Sequence, residues 1–250
     1  NGTAENPADK YPIGYYRKQD LPFYAGVADH YTVCDRYFHC VLTSTFPNRM
    51  YIHAGATDFL SNDLPIAQRD PSLLPTIWDR LADKGRSRAN YFFDLPTPGL
   101  WGTKYLTMCK PFAQFAVDAA AGLLADVTYI DPFFGAAIGE GLGISQDDHP
   151  HADVRDGQAF LNLIYNSLRN SPQWERTLMI VTYDEWGGFY DHVPPPVGPI
   201  SEAERDIGND GRLGFRVPCV LLGPRARAKG GRVASTRLDP NSVINFITWR

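Results

Sequence analysis

The 250-residue chain is 44% hydrophobic, 13% aromatic and 21% charged, with a formal net charge of −4. That is enough apolar material for one large core, so a single domain over 1–250 is expected rather than two small ones. The acidic balance, with no Lys/Arg run, gives no support to nucleic-acid tracking or a polybasic lipid anchor, and no apolar stretch approaches the ~20 residues that span a bilayer.

The opening Asn-Gly-Thr-Ala-Glu-Asn is polar, has no starting Met and lacks the charged-then-apolar plan of a signal peptide. A mature or trimmed chain and a partial sequence both fit that start. Cys34, Cys40, Cys109 and Cys219 match no CxxC metal spacing. Buried free thiols and a single disulfide are both compatible with them.

Residues 1–25 are rich in Pro and Tyr and read as an extended arm, with a short helix starting near Leu21. Apolar Ile77, Trp78 and Leu81 at helical spacing predict a helix over 76–84 that stops before Gly85. A second helix is expected over 112–124, ended near Gly122, and a short buried strand over 127–130 before Asp131-Pro132. An amphipathic helix follows over 158–168. The continuous apolar runs at 178–183 and 217–222 have the character of strands buried on both faces. The Pro- and Gly-rich stretch 194–214 reads as a long loop, and 242–249 as a last helix. Helices alternating with buried strands imply an α/β layered fold around a mostly parallel sheet.

Three segments carry chemistry. In TLMIVTYDEWGGFYDHVPPP (177–196), an apolar strand delivers adjacent Asp184 and Glu185 at its carboxyl end, where open α/β sheets place ligands. Gly187 and Gly188 allow the sharp turn that lets both carboxylates reach one hard cation; ordinary solvated acids at a strand end are the competing reading. In CDRYFHCVLTSTFPNRMY (34–51), Thr45 stands two residues before Pro47. That spacing suits a helix N-cap, the first reading of the residues alone; the competing one is a hydroxyl activated where backbone N–H groups and the helix dipole favour a phosphate. In QDDHPHAD (146–153), His149 before Pro150 is kept out of a helix. It is either a phosphoryl-binding or proton-donating imidazole or part of a polar surface loop. His30, His39 and His53 read as structural.

Together these segments resemble the phosphoesterase family of non-specific phospholipases C and bacterial acid phosphatases. Thr45-Phe46-Pro47-Asn48-Arg49 is similar to its Thr/Ser-Pro-Asn-Arg signature, 20–38 to its lead-in, and DDHP and TYDEWGGFYDHVPPP to two downstream blocks in the same order. The resemblance implies an alkaline-phosphatase-like α/β/α sandwich. It further implies Thr45 as the nucleophile and His149 as a phosphate-contacting histidine that assists the leaving alkoxide. Asp184 and Glu185 would be ligands of a divalent metal ion of unspecified identity, with Asn48, Asp191 and His192 on the substrate side. The implied substrate is a phospholipid or a small phosphate ester, and the implied location is secreted or at the cell envelope. Two departures stand out. The family's opening strand ends in Glu-Asn before a Ser-Phe-Asp segment, whereas Glu5-Asn6 precedes Pro-Ala-Asp and receives no role. The family's Asp-His-Thr-Ser is Asp239-Pro240-Asn241-Ser242 here. The chain is therefore expected to lack the first strand and the C-terminal end of the fold. Three activities follow as alternatives: a phospholipase C, a broad acid phosphatase on the same core, and an inactive relative that binds a phospholipid or a protein. Each reading that keeps catalysis requires Thr45 and the Asp184-Glu185 doublet to converge.

Overall fold

A computed structural model of the chain describes residues 10–62, 68–135 and 144–250. Glu5-Asn6 lies outside the described residues. The strands are β1 (Thr32–Cys34), β2 (Arg88–Phe92), β3 (Cys109–Pro111), β4 (Val127–Ile130), β5 (Met179–Thr182), β6 (Cys219–Leu222) and β7 (Arg232–Ala234). The α-helices are α1 (Pro22–His30), α2 (Thr45–Ala54), α3 (Ile77–Asp83), α4 (Ala113–Ala121), α5 (Val154–Arg169), α6 (Glu202–Asp206) and α7 (Pro240–Trp249).

The architecture is the expected α/β sandwich, with one change in its middle layer. Instead of one sheet there are two, in the orders β5-β6-β1-β7 and β3-β2-β4. The smaller is all parallel; in the larger, β6 runs antiparallel to both neighbours and only β1–β7 is parallel. Apolar runs such as CVLL report burial on both faces, which either strand direction satisfies, so direction was not readable from them.

Alternation along the strands builds the layers. Met179 and Val181 of β5 enter a core shared with Phe115 of α4, Phe160 and Ile164 of α5 and Val27 of α1. Ile180, between them, faces the opposite side with Leu238 and Val243. A separate cluster packs Met50 of α2 against Trp78, Leu81 and Trp101, with Ile244 and Ile247 of α7. Helices thus cover both faces of the strands.

Helix ends explain where the boundaries fall. Helix α3 starts at a complete capping box between Thr76 and Asp79. Helix α4 stops at Gly122, which is left-handed. Helix α5 begins four residues before the expected start, because the Asp153 side chain accepts from the Arg155 N–H and caps it. The loop 194–214 contains α6, begun by a capping box between Ser201 and Glu204. Buried Glu204 also accepts the Tyr51 hydroxyl, which pins this loop to α2. All four cysteines are free. No helix among the described residues is long and apolar enough to cross a membrane.

Candidate active site

Helix α2 sets the site. Its N-cap is Ser44, not Thr45 as the spacing to Pro47 suggested; Ser44 has the extended backbone of a cap, and its side chain makes no capping bond. Thr45 is the first helical residue and Pro47 the third, where a missing N–H costs nothing. Of the first N–H groups, that of Phe46 donates to Asn62 Oδ1 at 2.9 Å. Among the described residues the half-buried Thr45 hydroxyl has no hydrogen-bond partner, so it is not spent on structure.

Asn48 holds the approach to that helix. It is fully buried, and its Oδ1 accepts from the Val41 N–H at 3.1 Å and lies 3.1 Å from His39 Nδ1. Its Nδ2 donates to the carbonyls of Val41, Thr43 and Ser44. Every side-chain polar atom of Asn48 is engaged by His39 or by the 41–44 loop, so the residue holds the chain that leads into α2. His39 behind it is equally buried, and burial holds its imidazole down at about 4, against the pull of Asn48 and of the Asp184 charge. The neutral ring packs so closely on Gly214 that a Cβ there would lie 1.8 Å from His39 Cε1.

Arg49 joins the two sheets. Its Nε donates to Asp184 Oδ2 at 3.0 Å and its Nη1 to Thr97 Oγ1 at 3.0 Å, with Asp131 Oδ1 3.4 Å away. The guanidinium also lies 4.6 Å from the centre of the Phe134 ring. Asp184 follows β5 and Asp131 follows β4, so each marks the carboxyl end of a strand in a different sheet. Asp131 is buried and also accepts from Asn90 Nδ2, the Thr97 N–H and the Thr97 hydroxyl. Residues i and i+4 share a helix face, about 5–6 Å apart at Cβ. Thr45 therefore stands on the face of α2 from which Arg49 reaches Asp184.

Glu185 completes the acidic doublet. Burial pushes its carboxyl up to about 7, the neighbouring Asp184 charge adds to this, and the Gly187 N–H, His149 and Arg49 oppose it. Its Oε2 accepts the Gly187 N–H at 2.7 Å, across a turn made by left-handed Gly187 and Gly188. Two adjacent carboxylates, one paired with Arg49 and the other held from ionising mainly by burial, offer oxygen ligands of the kind a hard cation takes. They are only part of a coordination shell: among the described residues no group of three His, Cys, Asp or Glu side chains is gathered around one point.

The DDHP loop reaches the same place. His149 is exposed and acts on the Glu185 charge, its Nδ1 lies 3.0 Å from the Pro150 carbonyl, and Pro150 packs against Gly187. Beneath it, the Tyr183 hydroxyl donates to Asp148, a residue in the left-handed region at φ 57°. Asp148 thus ties the histidine loop to the strand end that carries Asp184. Burial raises its carboxyl to about 6; Tyr183 opposes the rise and Asp147 adds to it. A carboxyl raised in the fold stabilises fully below its unfolded value near 4, and that contribution is lost as pH rises through about 6. Asp148→Asn is expected to abolish this loss, so that wild type minus variant stability falls by about 2 kcal/mol between pH 4 and 7. Urea unfolding of both proteins across that range measures it, and a pH-independent difference refutes it.

Asp191 and His192 are not gathered with the others. Arg216 takes both Asp191 oxygens, at 2.7 and 2.9 Å, and His192 is 83% exposed beside it. The bidentate pair engages both carboxylate oxygens of Asp191, and the Val193 N–H donates to Oδ1 as well. His39 is structural, as expected, while Asp131, Asn90, Thr97 and Asp148 carry no role in the motifs. Only Asp131 carried a signal in the sequence, an acid directly after an apolar strand, the same placement that drew attention to Asp184.

The chain is similar to known proteins in sequence and in fold. The model of the family described as "Phosphoesterase family" matches residues 2–110 and 94–250. Non-specific phospholipase C1 of Arabidopsis thaliana is 35% identical over 90% of this chain and 45% of its own length. Phospholipase C A of Mycobacterium tuberculosis is 28% identical over 99% of this chain and 54% of its own. The chain spans about half the length of these relatives. Among solved structures, a protein in the alkaline phosphatase superfamily from Vibrio parahaemolyticus superposes with a TM-score of 0.54 at 11% identity, covering 90% of this chain and 60% of that one. A 2-O GAG sulfatase gives 0.54 at 12% identity, over 94% and 68%. At such identity the likeness concerns the fold alone, which is that of the alkaline-phosphatase-like proteins. With a family model matched along nearly its whole length and a strand-end acidic doublet joined to the TFPNR helix, the chain belongs to the phosphoesterase family.

Proposed function

We propose that the chain is the core of a metal-dependent phosphoesterase that hydrolyses the phosphodiester bond of phospholipids on the diacylglycerol side, with Thr45 as nucleophile. The observation that carries this is the Arg49–Asp184 contact, which brings the N-terminal face of α2 to the carboxyl end of β5. The relatives named phospholipase C support the substrate class.

In this reading Asp184 and Glu185 hold a divalent cation, which when bound makes the threonine hydroxyl more acidic. Thr45 Oγ gives its proton to solvent water and bonds to phosphorus as the bond to the glycerol oxygen breaks. His149, the exposed imidazole beside Glu185, gives a proton to the departing alkoxide. Water then cleaves the threonine phosphodiester and releases the phosphorylated headgroup. The start of α2 presents the Thr45 N–H to a phosphoryl oxygen, since Pro47 has none and that of Phe46 is taken. Asn48 and Asp148 position Thr45 and His149 respectively, the first through the 41–44 loop and the second through Tyr183.

The test is product analysis. With phosphatidylcholine and a divalent cation, release of diacylglycerol and phosphocholine is expected, with activity lost on chelation and restored by added metal. Release of inorganic phosphate from a soluble monoester, with no diacylglycerol from lipid, would replace the phospholipase reading with an acid phosphatase.

A further inference from the structure

The segment 10–18, KYPIGYYRK, crosses the rim of the site and leaves large side chains in solvent. Ile13 is 60% exposed, Tyr15 79% and Tyr16 54%. The segment is fixed to the active-site turns rather than loose. The Tyr190 N–H donates to the Pro12 carbonyl at 2.7 Å, and the Tyr11 ring lies 5.3 Å from that of Phe189 and stacks 6.2 Å from His151. The Tyr16 hydroxyl lies in the field of Asp148 and Asp153. Tyr190, from the turn after the acidic doublet, is itself 62% exposed and extends the same patch. A core role would bury these rings, and a contiguous exposed apolar patch marks an interaction surface.

The charge on this segment favours an anionic or zwitterionic surface as the occupant. In a chain of net charge −4, residues 9–20 carry Lys10, Arg17 and Lys18 against Asp9 and Asp20, so the segment is locally cationic. Lys18 is paired with Asp29, while Lys10 and Arg17 form no ion pair among the described residues. Tyrosines between basic residues suit the headgroup layer of a bilayer, where a ring sits at the acyl boundary and a cation meets phosphate. The arm also touches the turn after the acidic doublet, through Phe189 and Tyr190, and the histidine loop, through His151.

We infer that the arm from Lys10 to Lys18, with Tyr190, is the surface by which this chain adsorbs to a phospholipid bilayer and turns its active site toward it. The inference rests on the phospholipase reading for its purpose, but adsorption can be measured without catalysis. The 250-residue chain and its Tyr15→Ser/Tyr16→Ser variant would be sedimented with vesicles of phosphatidylcholine and phosphatidylglycerol. Hydrolysis of the same vesicles and of soluble p-nitrophenyl phosphorylcholine would be assayed in parallel. Partitioning and vesicle hydrolysis are each expected to fall on the order of tenfold in the variant, from the lost burial of two rings, with hydrolysis of the soluble diester unchanged. An Ile13→Ser variant, which leaves both rings in place, is expected to fall in the same direction. Vesicle binding equal to wild type in both variants overturns the inference. So does a patch whose substitution only converts a dimer to a monomer, which would make it an interface between copies. If the wild-type chain hydrolyses neither substrate, the catalytic reading fails while sedimentation still decides the surface.

Discussion

Thr45→Ala is expected to lower kcat/KM on both vesicle lipid and a soluble diester by at least on the order of 10³-fold, while stability changes by no more than about 0.5 kcal/mol. The two halves of this expectation come from the same geometry. Thr45 is the first residue of α2 rather than its cap, and its hydroxyl has no partner among the described residues, so truncation breaks no bond in the fold. The side chain nonetheless stands one turn before Arg49, whose guanidinium touches Asp184. Thr45→Ser keeps a hydroxyl and is expected to retain measurable turnover. Steady-state kinetics and urea unfolding on the three proteins check this. Undiminished hydrolysis by the alanine variant would remove Thr45 from the chemistry.

Arg49→Met should be the most destabilising of the site substitutions, at about 2–3 kcal/mol, because it strips the shared cation from two partly buried, hydrogen-bonded carboxylates. The cost falls unequally on the two acids. Asp131 keeps Asn90 and two donors from Thr97, so its charge stays solvated by the protein. Asp184 loses its ion-pair partner while Glu185, already difficult to ionise, remains beside it. Adding Asp184→Asn to Arg49→Met should therefore restore at least half of the loss. A double variant whose loss is the sum of the two single losses would show that the pair does not hold the sheets together. Arg49→Lys keeps a charge but not the planar fork that reaches Asp184, Thr97 and Asp131 together, and should fall between wild type and Arg49→Met.

Much of the fold was legible because periodicity and capping are local. The apolar spacing of Ile77, Trp78 and Leu81, the run before Asp131 and the glycine at 122 each report their element through neighbours a few residues away. The misses have local causes too. Strand β1 has three residues and β7 is mostly exposed, so neither has the length or pattern of a buried strand. Helix α5 was read short because Arg155 and Asp156 hide its first turn from a search for apolar spacing. In the site, the doublet Asp184-Glu185, Thr45 and His149 were legible as motifs. Asp191 and Asn48 belong to the same motifs, but their hydrogen-bonding capacity is used by Arg216 and by the 41–44 loop. A motif does not reveal whether a conspicuous polar residue faces a substrate or holds the backbone that does.

The amino-acid sequence by itself determined the layered α/β class, the family and the order of the segments that carry chemistry, since these follow from patterns read along the chain. Only the tertiary structure decided that the strands form two sheets and that Arg49 bolts their carboxyl ends together. It also decided that Asn48 is a buried clamp and that the tyrosine arm lies on the rim. Each of these depends on contacts between residues far apart in the chain, 135 positions in the case of Arg49 and Asp184. Burial and hydrogen-bond saturation, which separate a positioning residue from a catalytic one, exist only once those distant segments have met.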